Sequence, residues 1–376
     1  MRTIVHISAD FPDPLQRAKT RAVEILLAAT PGFRHVVYSL NRVSWRRDLA
    51  TLPFGEDRLA IAYGAPPYGI GLARHLEPVA DLILRDLERR GIAPDLVHAH
   101  KFSVEGLVAQ SIAERLRRPF VANLWGDTDI KIFEKKPGLR SRYRVLASKA
   151  ALLLPAAPWT TDCFRPALGL DASRFEVLPV MTAADRMLPP RPVAAPHLVC
   201  VLNLDSWQRK GLDTLARAIM ALVPEFPGIG LDVYGGGAPK TLMEITRLLR
   251  DLGATERVRL KGPLVGSDIQ DVMNRYAAFV MPTRRETYGM VHIEAVLAGV
   301  PILWSKDRGI DGLLEGVGYR CDPTSLDDVT AGIRHLLAEE EPLKRAIGAM
   351  QAKDAFAHLR REAIAAQYAS IIDRLS

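Results

Sequence analysis

Features that would settle a function early are scarce in this chain of 376 residues. Its three cysteines, Cys163, Cys200 and Cys321, are scattered and odd in number, which predicts a reducing compartment and neither disulfides nor a metal cluster. No apolar run approaches the roughly 20 residues of a membrane span. Aromatic residues make up 7% of the chain and do not alternate with basic ones, and no zinc-finger spacing occurs. Nucleic acid is therefore not an expected partner.

The remaining composition is that of an ordinary globular protein, with 48% hydrophobic and 25% charged residues. The length suits two domains better than one. The first residues, Met1 to Ser8, predict a strand and not a signal peptide. We therefore expect a cytoplasmic protein.

Positive charge is concentrated in the first half of the chain. Residues 1–180 carry 26 Lys and Arg against 19 Asp and Glu, whereas the two classes balance over residues 181–376. The densest run lies between Lys131 and Lys149. It predicts either a solvated helix face or attraction to an anionic surface, such as a membrane leaflet or a diphosphate-bearing substrate.

Short runs rich in Val, Ile and Leu alternate with amphipathic helical patterns along the whole chain. This alternation predicts parallel sheets covered by helices on both faces. Residues 187–197 interrupt it with four prolines and indicate a linker. We expect an α/β protein of two Rossmann-like, doubly wound domains, residues 1–185 and 198–355, joined by a linker at 186–197 and binding a ligand in the cleft between them. The predicted strands of the first domain end with Phe175–Leu178.

The most informative segment runs from Arg285 to Pro301. Glu286 follows an apolar strand, and Glu294 lies eight positions later on a helix rich in Ala and Leu. Gly289 marks the start of that helix, where free backbone N–H groups offer a cradle for an anion. Chance alone gives roughly one such glutamate spacing in a chain of this length, so the context carries the argument. Two acceptors for hydroxyls beside a phosphate cradle suit a nucleotide sugar.

Two further loops of the second half are candidates for donor binding. Lys210 follows a strand and opens a helix, so its ammonium can reach a phosphate there, while Arg209 is either a second contact or solvated. Gly235 and Gly236 follow the next strand and indicate either a close approach of backbone to ligand or a tight turn. The spacing excludes a dinucleotide-binding fingerprint.

In the first half, candidate residues follow two predicted strands. His98 is expected in the core and His100 at the edge that faces the cleft. Trp125 and Asp127 suit binding of sugar hydroxyls. Asp127 and Asp129 could instead hold a divalent metal, but Asp-x-Asp is common by chance, and we expect no metal site.

Together these residues resemble the retaining glycosyltransferases of family 4, which have the GT-B fold. The resemblance is clear over residues 196–320 and looser over residues 1–180, where His100 and the Trp125 turn carry it. The segment from Phe356 to the C-terminus, residues 356–376, resembles the last helix of the family, which crosses back to the first domain. The motifs that carry the clear part are Arg209-Lys210-Gly211, Gly235-Gly236-Gly237, Pro282-Thr283 and the Glu286 and Glu294 element.

The resemblance implies a role for each candidate. Glu294 would bind the ribose hydroxyls of the donor, and Glu286 the transferred sugar. His100 would line the reacting centre, so His100, Lys210 and Glu286 form the expected catalytic set. The complete donor-binding set is Arg209, Lys210, Gly235, Gly236, Glu286, Tyr288, Gly289, Met290 and Glu294.

The chain departs from the family pattern at two places. An arginine usual five or six residues before the lysine is replaced by Leu204 and Asp205. The paired glycines usual after the first strand are replaced by a loop with Arg17 and Lys19. The expected acceptor side is Arg17, Lys19, Trp125 and Asp127.

We therefore expect an enzyme that moves a hexose from a nucleotide diphosphate donor to a hydroxyl of a glycan or lipid-linked saccharide, with retention and without metal or cofactor. Contact of the basic first half with the inner face of an anionic membrane is a hypothesis. The alternatives are a sugar-nucleotide 2-epimerase of similar architecture and a catalytically silent nucleotide-sugar-binding protein.

Overall fold

The computed structural model divides the chain into two compact units. The first contains residues 1–183 and 361–376, and the second residues 184–360. The structure describes residues 1–17, 19–43, 49–65, 71–135, 137–264 and 269–376. Each unit has its own parallel sheet with helices around it.

The first unit is built on a seven-stranded sheet in the order β3-β4-β2-β1-β5-β6-β7. All pairs are parallel except β3 with β4. The central strands are buried along their whole length, as expected for a sheet covered on both faces. The strands are β1 Thr3–Ser8, β2 Arg34–Val43, β3 Ala50–Pro53, β4 Arg58–Gly64, β5 Leu96–Ala99, β6 Phe120–Leu124 and β7 Leu152–Pro155.

Helices of the first unit bury one apolar face against this sheet. In the helix that begins at Leu72, residues Leu76, Val79, Ala80 and Ile83 recur at helical spacing and are buried. The helices are α1 Ala22–Ala29, α2 Leu72–Arg89, α3 Glu105–Leu116, α4 Asp127–Lys135, α5 Arg140–Lys149, α6 Pro158–Leu168 and, from the end of the chain, α13 Arg361–Leu375.

The second unit has a six-stranded parallel sheet in the order β10-β9-β8-β11-β12-β13. Its strands are β8 His197–Val201, β9 Gly230–Tyr234, β10 Val258–Gly262, β11 Ala278–Val280, β12 Ile302–Ser305 and β13 Gly318–Cys321. Its helices are α7 Leu212–Leu222, α8 Pro239–Asp251, α9 Ile269–Met273, α10 Met290–Leu297, α11 Leu326–Ala338 and α12 Glu340–Ala352.

Both sheets reverse their winding beside their first strand. In the first unit the reversal lies between β1 and β5, and in the second between β8 and β11. Ligands of open α/β sheets bind at such a switch point, beyond the carboxyl ends of the strands. The loops after these four strands are therefore the places to search for a site.

The predicted fold class is confirmed: two doubly wound α/β units, with the C-terminal helix packed in the first. The strand predicted at Phe175–Leu178 is wrong, because this segment makes only an isolated bridge from Phe175 to Leu153 beside β7. Strands β3, β4 and β13 were not predicted. None of the described helices combines the length and the apolar character needed to cross a membrane.

Candidate functional site

The candidate site of the second unit is formed by the loops after β8 and β11. The backbone N–H of Arg284 donates to the carbonyl of Arg209 at 2.9 Å, and the Arg209 guanidinium donates to the carbonyl of Arg285 at 2.9 Å. Gly211 has φ +78°, and a Cβ there would lie 2.2 Å from the carbonyl oxygen of Pro282. Only glycine permits this approach, which holds the two loops together at the switch point.

This contact brings Lys210 onto Glu286. The ammonium donates a hydrogen bond to Oε2 of the carboxylate, and the two side chains are 14% and 9% exposed. The other carboxylate oxygen accepts from the backbone N–H of Thr287 at 3.2 Å. A largely buried cation and anion therefore lie side by side at the edge of the sheet, where a bound phosphate or hydroxyl can compete for either.

Helix α10 begins directly beyond this pair. Gly289 is its N-cap with φ +88°, no side chain caps it, and Met290 is its first residue. A Cβ on Gly289 would lie 2.8 Å from Nδ1 of His292 and 3.3 Å from Cγ of Glu286, so the helix start packs directly on the glutamate. Tyr288 is buried beneath the turn. The N-terminal N–H groups and their dipole favour an anion beside Lys210.

Glu294 lies one turn into α10 and is 6% exposed. Its Oε1 lies 3.5 Å from the backbone nitrogen of Ala184, and the Gln270 amide donates to the Glu294 carbonyl at 3.2 Å. Glu286 thus lies before the start of α10 and Glu294 after it, on either side of Gly289. The roles assigned to these residues stay predictions.

The glycine loop after β9 packs against the loop after β8. A Cβ on Gly235 would lie 1.8 Å from the carbonyl oxygen of Leu202, so this glycine is required by packing. Gly236 is exposed and its carbonyl accepts from Leu204. Asp205, at one of the two positions where the family pattern has arginine, accepts hydrogen bonds from Ala238 N–H and the Thr241 hydroxyl and so holds the start of α8.

At the switch point of the first unit, His100 follows β5 and is 2% exposed. It lines a small pocket with Trp125, which is 9% exposed, and with Asn123 and Met181. Burial lowers the pKa of His100 well below its ordinary value, so the ring is neutral at pH 7. The side chain of Asp127 lies outside the part of the chain that the structure describes.

The remaining acceptor-side candidates differ in their surroundings. Arg17 is exposed. The Lys19 ammonium is buried and donates to the carboxylate of Asp13 at 2.7 Å and to the hydroxyl of Ser39 at 3.0 Å. Lys19 thus stabilises the loop after β1, and its predicted contact with an acceptor stays a prediction.

Several buried polar groups near these loops were not found from the sequence. His292 lies beneath Glu286, and burial lowers its pKa to about 4. Glu105, at the start of α3, accepts from the backbone N–H of Ala9 at 2.7 Å, and burial raises its pKa to about 8. The parallel register of β1 and β5 places His6 beside His98, a contact that a local sequence motif does not predict.

The ring nitrogens of His6, His98 and His100 lie within 4.8 Å of one another. Within the described ranges this is the one cluster close to a metal-ligand set. Its members already hydrogen-bond to one another and to neighbouring groups, namely His6 to His100 at 3.0 Å and His98 to Tyr368 at 2.9 Å. The residues therefore fit a hydrogen-bonded cluster better than a metal site.

Known proteins resemble this chain in sequence. Residues 195–339 match the family model described as Glycosyl transferases group 1. A GDP-mannose-dependent alpha-(1-6)-phosphatidylinositol monomannoside mannosyltransferase of Mycolicibacterium smegmatis is 28% identical over 54% of this chain and 57% of its own length. Its Mycobacterium tuberculosis counterpart is 27% identical, and the match spans 65% of its length. The glycogen synthase of Mycobacterium tuberculosis is 26% identical over 91% of this chain and 87% of its own length.

Solved structures share the fold over the whole chain. Sucrose-phosphate synthase from Thermosynechococcus elongatus has a TM-score of 0.74 at 18% identity, covering 100% of this chain and 99% of its own. Anabaena Alr3699/HepE in complex with UDP and glucose has a TM-score of 0.69 at 17% identity, covering 100% of each chain. These likenesses establish the architecture. The family match lies within the second unit, and the shared fold extends over the whole chain.

Proposed function

We propose that the chain is a retaining hexosyltransferase that moves a hexose from a nucleotide diphosphate donor to an acceptor hydroxyl. The observation that carries the proposal is the pairing of Lys210 with Glu286 at the switch point of the second sheet, directly before the N-terminus of α10. A diphosphate bound there meets a cation and oriented N–H groups together.

The mechanism follows from where charge develops. Transfer breaks the bond between the anomeric carbon and the phosphate oxygen, so negative charge grows on the departing diphosphate. Lys210 and the α10 N-terminus stabilise that charge, and fixed donors of this kind contribute a few kcal/mol each. They supply the positive charge that a metal ion supplies in other sites, so the proposed transfer requires no metal.

The glutamates select the donor. When the diphosphate takes over Lys210, the carboxylate of Glu286 becomes free to accept hydrogen bonds from hydroxyls of the transferred sugar. Glu294, farther along α10, would accept from the ribose. The role predicted for His100 in lining the reacting centre stays a prediction. GDP-mannose, named for a relative, and UDP-glucose, bound in a structure of Anabaena Alr3699/HepE, both carry a hexose on a nucleoside diphosphate.

A membrane-borne lipid saccharide is the proposed acceptor. The mycobacterial relative is named for a phosphatidylinositol mannoside, which is a lipid. On α5 of this chain, Arg140 and Arg144 are exposed and donate to the carbonyls of Phe133 and Ala167, which leaves their charge uncompensated by these contacts. Exposed Val145 lies beside Arg144. Such a face suits an anionic lipid surface.

Transfer of labelled hexose tests the proposal. The purified chain is incubated with GDP-, UDP- or ADP-hexose and a lipid extract, and label in the lipid fraction is followed together with release of the nucleoside diphosphate. We expect one donor to be consumed, with the anomeric configuration of the product equal to that of the donor by NMR. Inversion would reject the retaining mechanism, and no consumption of any hexose donor would reject the enzyme.

A further inference from the structure

Four histidines lie on one face of the first sheet. His6 on β1 is opposite His98 on β5, and His100 follows two positions later, so all three project to the same side. His35 on β2 pairs with Ile4, two positions before His6, and joins that side. Among them His6, His98 and His100 are at most 2% exposed. Four imidazoles thus share one side of the sheet, and three of them are buried.

Three of these rings form a continuous chain of hydrogen bonds. Nδ1 of His6 lies 3.0 Å from Nε2 of His100, and Nε2 of His6 lies 2.9 Å from Nδ1 of His35. Nε2 of His35 ends the chain on Thr30, 2.9 Å from its carbonyl oxygen and 3.2 Å from its hydroxyl oxygen. The Thr30 hydroxyl itself donates to the carbonyl of Leu26 at 2.8 Å.

The two oxygens of Thr30 determine which ring nitrogen carries the hydrogen in each histidine of the chain. A carbonyl oxygen only accepts, and the Thr30 hydroxyl has already donated its hydrogen, so Nε2 of His35 must carry a hydrogen. In a neutral ring Nδ1 then accepts, which makes Nε2 of His6 the donor. The same step repeated makes Nδ1 of His6 the acceptor and Nε2 of His100 the donor. Nδ1 of His100 is left without a hydrogen.

The assumption of neutral rings has independent support. Burial lowers the pKa of His6 and of His100 well below their ordinary value, and it also lowers that of His35. His98 belongs to a second chain, with Nδ1 2.9 Å from the Tyr368 hydroxyl and Nε2 bonded to Oδ1 of Asn123. It stacks on His100 at a ring-centroid distance of 4.0 Å and holds it in place.

We propose that the chain Thr30–His35–His6 locks His100 in the Nε2–H tautomer, so that it presents Nδ1 to the ligand as a hydrogen-bond acceptor. No described residue hydrogen-bonds to this atom, and His100 lines the pocket that contains Trp125. The ligand group must then be a hydrogen-bond donor, a hydroxyl and not a carboxylate or phosphate. His6 and His35 are positioning residues. The identification of the ligand as a saccharide rests on the proposed function.

The tautomer is measured directly by nitrogen-15 NMR. In protein labelled at histidine, two-bond proton–nitrogen spectra distinguish a ring protonated at Nε2 from one protonated at Nδ1. The signal of His100 is assigned from its loss in His100→Gln. We expect His100, His6 and His35 all as Nε2–H at pH 7. A wild-type His100 protonated at Nδ1 would overturn the proposal, whatever the activity.

Two substitutions of His35 distinguish the effect of the hydrogen-bonded chain Thr30–His35–His6, here called the relay, from an effect of packing. His35→Leu removes the acceptor for His6, so we expect His100 to populate both tautomers. His35→Asn keeps an oxygen near the place of Nδ1 and should restore the single tautomer. Identical His100 tautomers in His35→Leu and wild type, with the thermal midpoint confirming a folded protein, would overturn the proposal. Zn²⁺ binding that abolishes the exchangeable ring N–H of these histidines would overturn it in favour of a metal site.

Transferase activity of the same two His35 variants tests whether the His100 tautomer matters for function. His35→Leu should lower kcat/KM about tenfold, the order of one hydrogen bond to ligand, and His35→Asn should recover most of it. Loss of activity in His35→Leu without a change of tautomer would assign His35 a structural role and reject the relay. A correct tautomer in a wild-type protein that consumes no donor would reject the proposed function and leave the relay standing.

Discussion

At the scale of single residues, the proposed chemistry depends on the ion pair of Lys210 and Glu286. Lys210→Ala removes the one described cation within hydrogen-bond distance of Glu286 and leaves that carboxylate unpaired. We expect kcat of donor consumption to fall about 100-fold or more, the size of effect seen when one fixed donor to a developing anion is lost. Steady-state release of nucleoside diphosphate measures it.

Lys240→Ala is the matched control for that substitution, because Lys240 belongs to the same unit and its side chain is 85% exposed on α8. It should leave kcat within twofold of wild type, since exposed ion pairs contribute little. Equal rates in Lys210→Ala and Lys240→Ala would contradict the site assignment.

Glu105 gives a prediction about stability. Its pKa is about 8 in the folded protein, against an ordinary value of 4.5, mainly because it is buried. Between these values the folded state retains a proton that the unfolded state releases, so the free energy of unfolding falls as pH rises from about 4.5 to 8 and levels off above. Glu105→Gln has no carboxyl group at this position, so the fall in the free energy of unfolding that Glu105 causes is absent from the variant. It should be about 1–3 kcal/mol more stable than wild type at pH 9 and equal to it near pH 4.5.

Thermal midpoints of wild type and Glu105→Gln across pH 4.5 to 9 measure this difference. The control is Glu88→Gln, an exposed position on α2 of the same unit. Its thermal midpoint should stay close to that of wild type, because surface substitutions change stability by at most about 0.5 kcal/mol. A pH-independent difference between Glu105→Gln and wild type would show that the Glu105 carboxyl is ionised normally.

At the scale of elements, α5 is the proposed membrane contact. Arg140→Gln with Arg144→Gln removes two exposed charges whose described hydrogen bonds go to carbonyl oxygens. Because each basic residue near an anionic surface contributes about 1 kcal/mol, the double variant should bind phosphatidylglycerol vesicles roughly 10- to 30-fold more weakly. Co-sedimentation at low salt measures the affinity.

The control for the vesicle experiment is Arg247→Gln with Arg250→Gln on α8, two exposed arginines of the second unit. This variant should bind as wild type does. Wild-type binding that does not weaken as salt is raised would exclude an electrostatic contact.

Elements with a strong local pattern can be predicted from sequence, whereas those that depend on neighbouring strands cannot. Leu326–Ala338 has regular apolar spacing and a Ser325 N-cap, and both signals lie within the segment itself. The edge strand Ala50–Pro53 is mostly exposed and contains proline, and Gly318–Cys321 is a four-residue edge strand. Such short edge strands form because a partner strand is present, which a local sequence pattern cannot reveal.

The same distinction holds within the site. Glu286, Gly289 and Glu294 follow one another along the chain, so their layout could be predicted from spacing. The histidine chain joins β1, β2 and β5, strands separated by about 30 and 60 residues in sequence, and exists only through their register. The use of Asp205 as a partner for the start of α8 likewise depends on a contact across 36 residues with Thr241.

At the scale of the whole molecule, the two units have different expected responses to nucleotide. The proposed diphosphate contacts all lie in the second unit, residues 184–360. Saturating GDP or UDP should therefore slow amide hydrogen exchange in the loops 206–211 and 282–290. Nucleotide should not protect the first unit unless it also protects these loops. A ligand that binds only the folded state also raises the free energy of unfolding, by about 2.7 kcal/mol at 100 times its Kd, and the thermal midpoint rises with it.

Exchange measured by mass spectrometry, with and without each nucleoside diphosphate, tests this prediction and identifies the base. The control is Lys210→Ala, in which protection of both loops should be lost at the same nucleotide concentration because the diphosphate no longer finds its cation. Protection confined to residues 1–183, or protection equally strong in Lys210→Ala, would move the donor site away from the switch point of the second sheet. Protection of both loops in wild type alone would tie nucleotide binding to the Lys210 and Glu286 pair, independently of any acceptor.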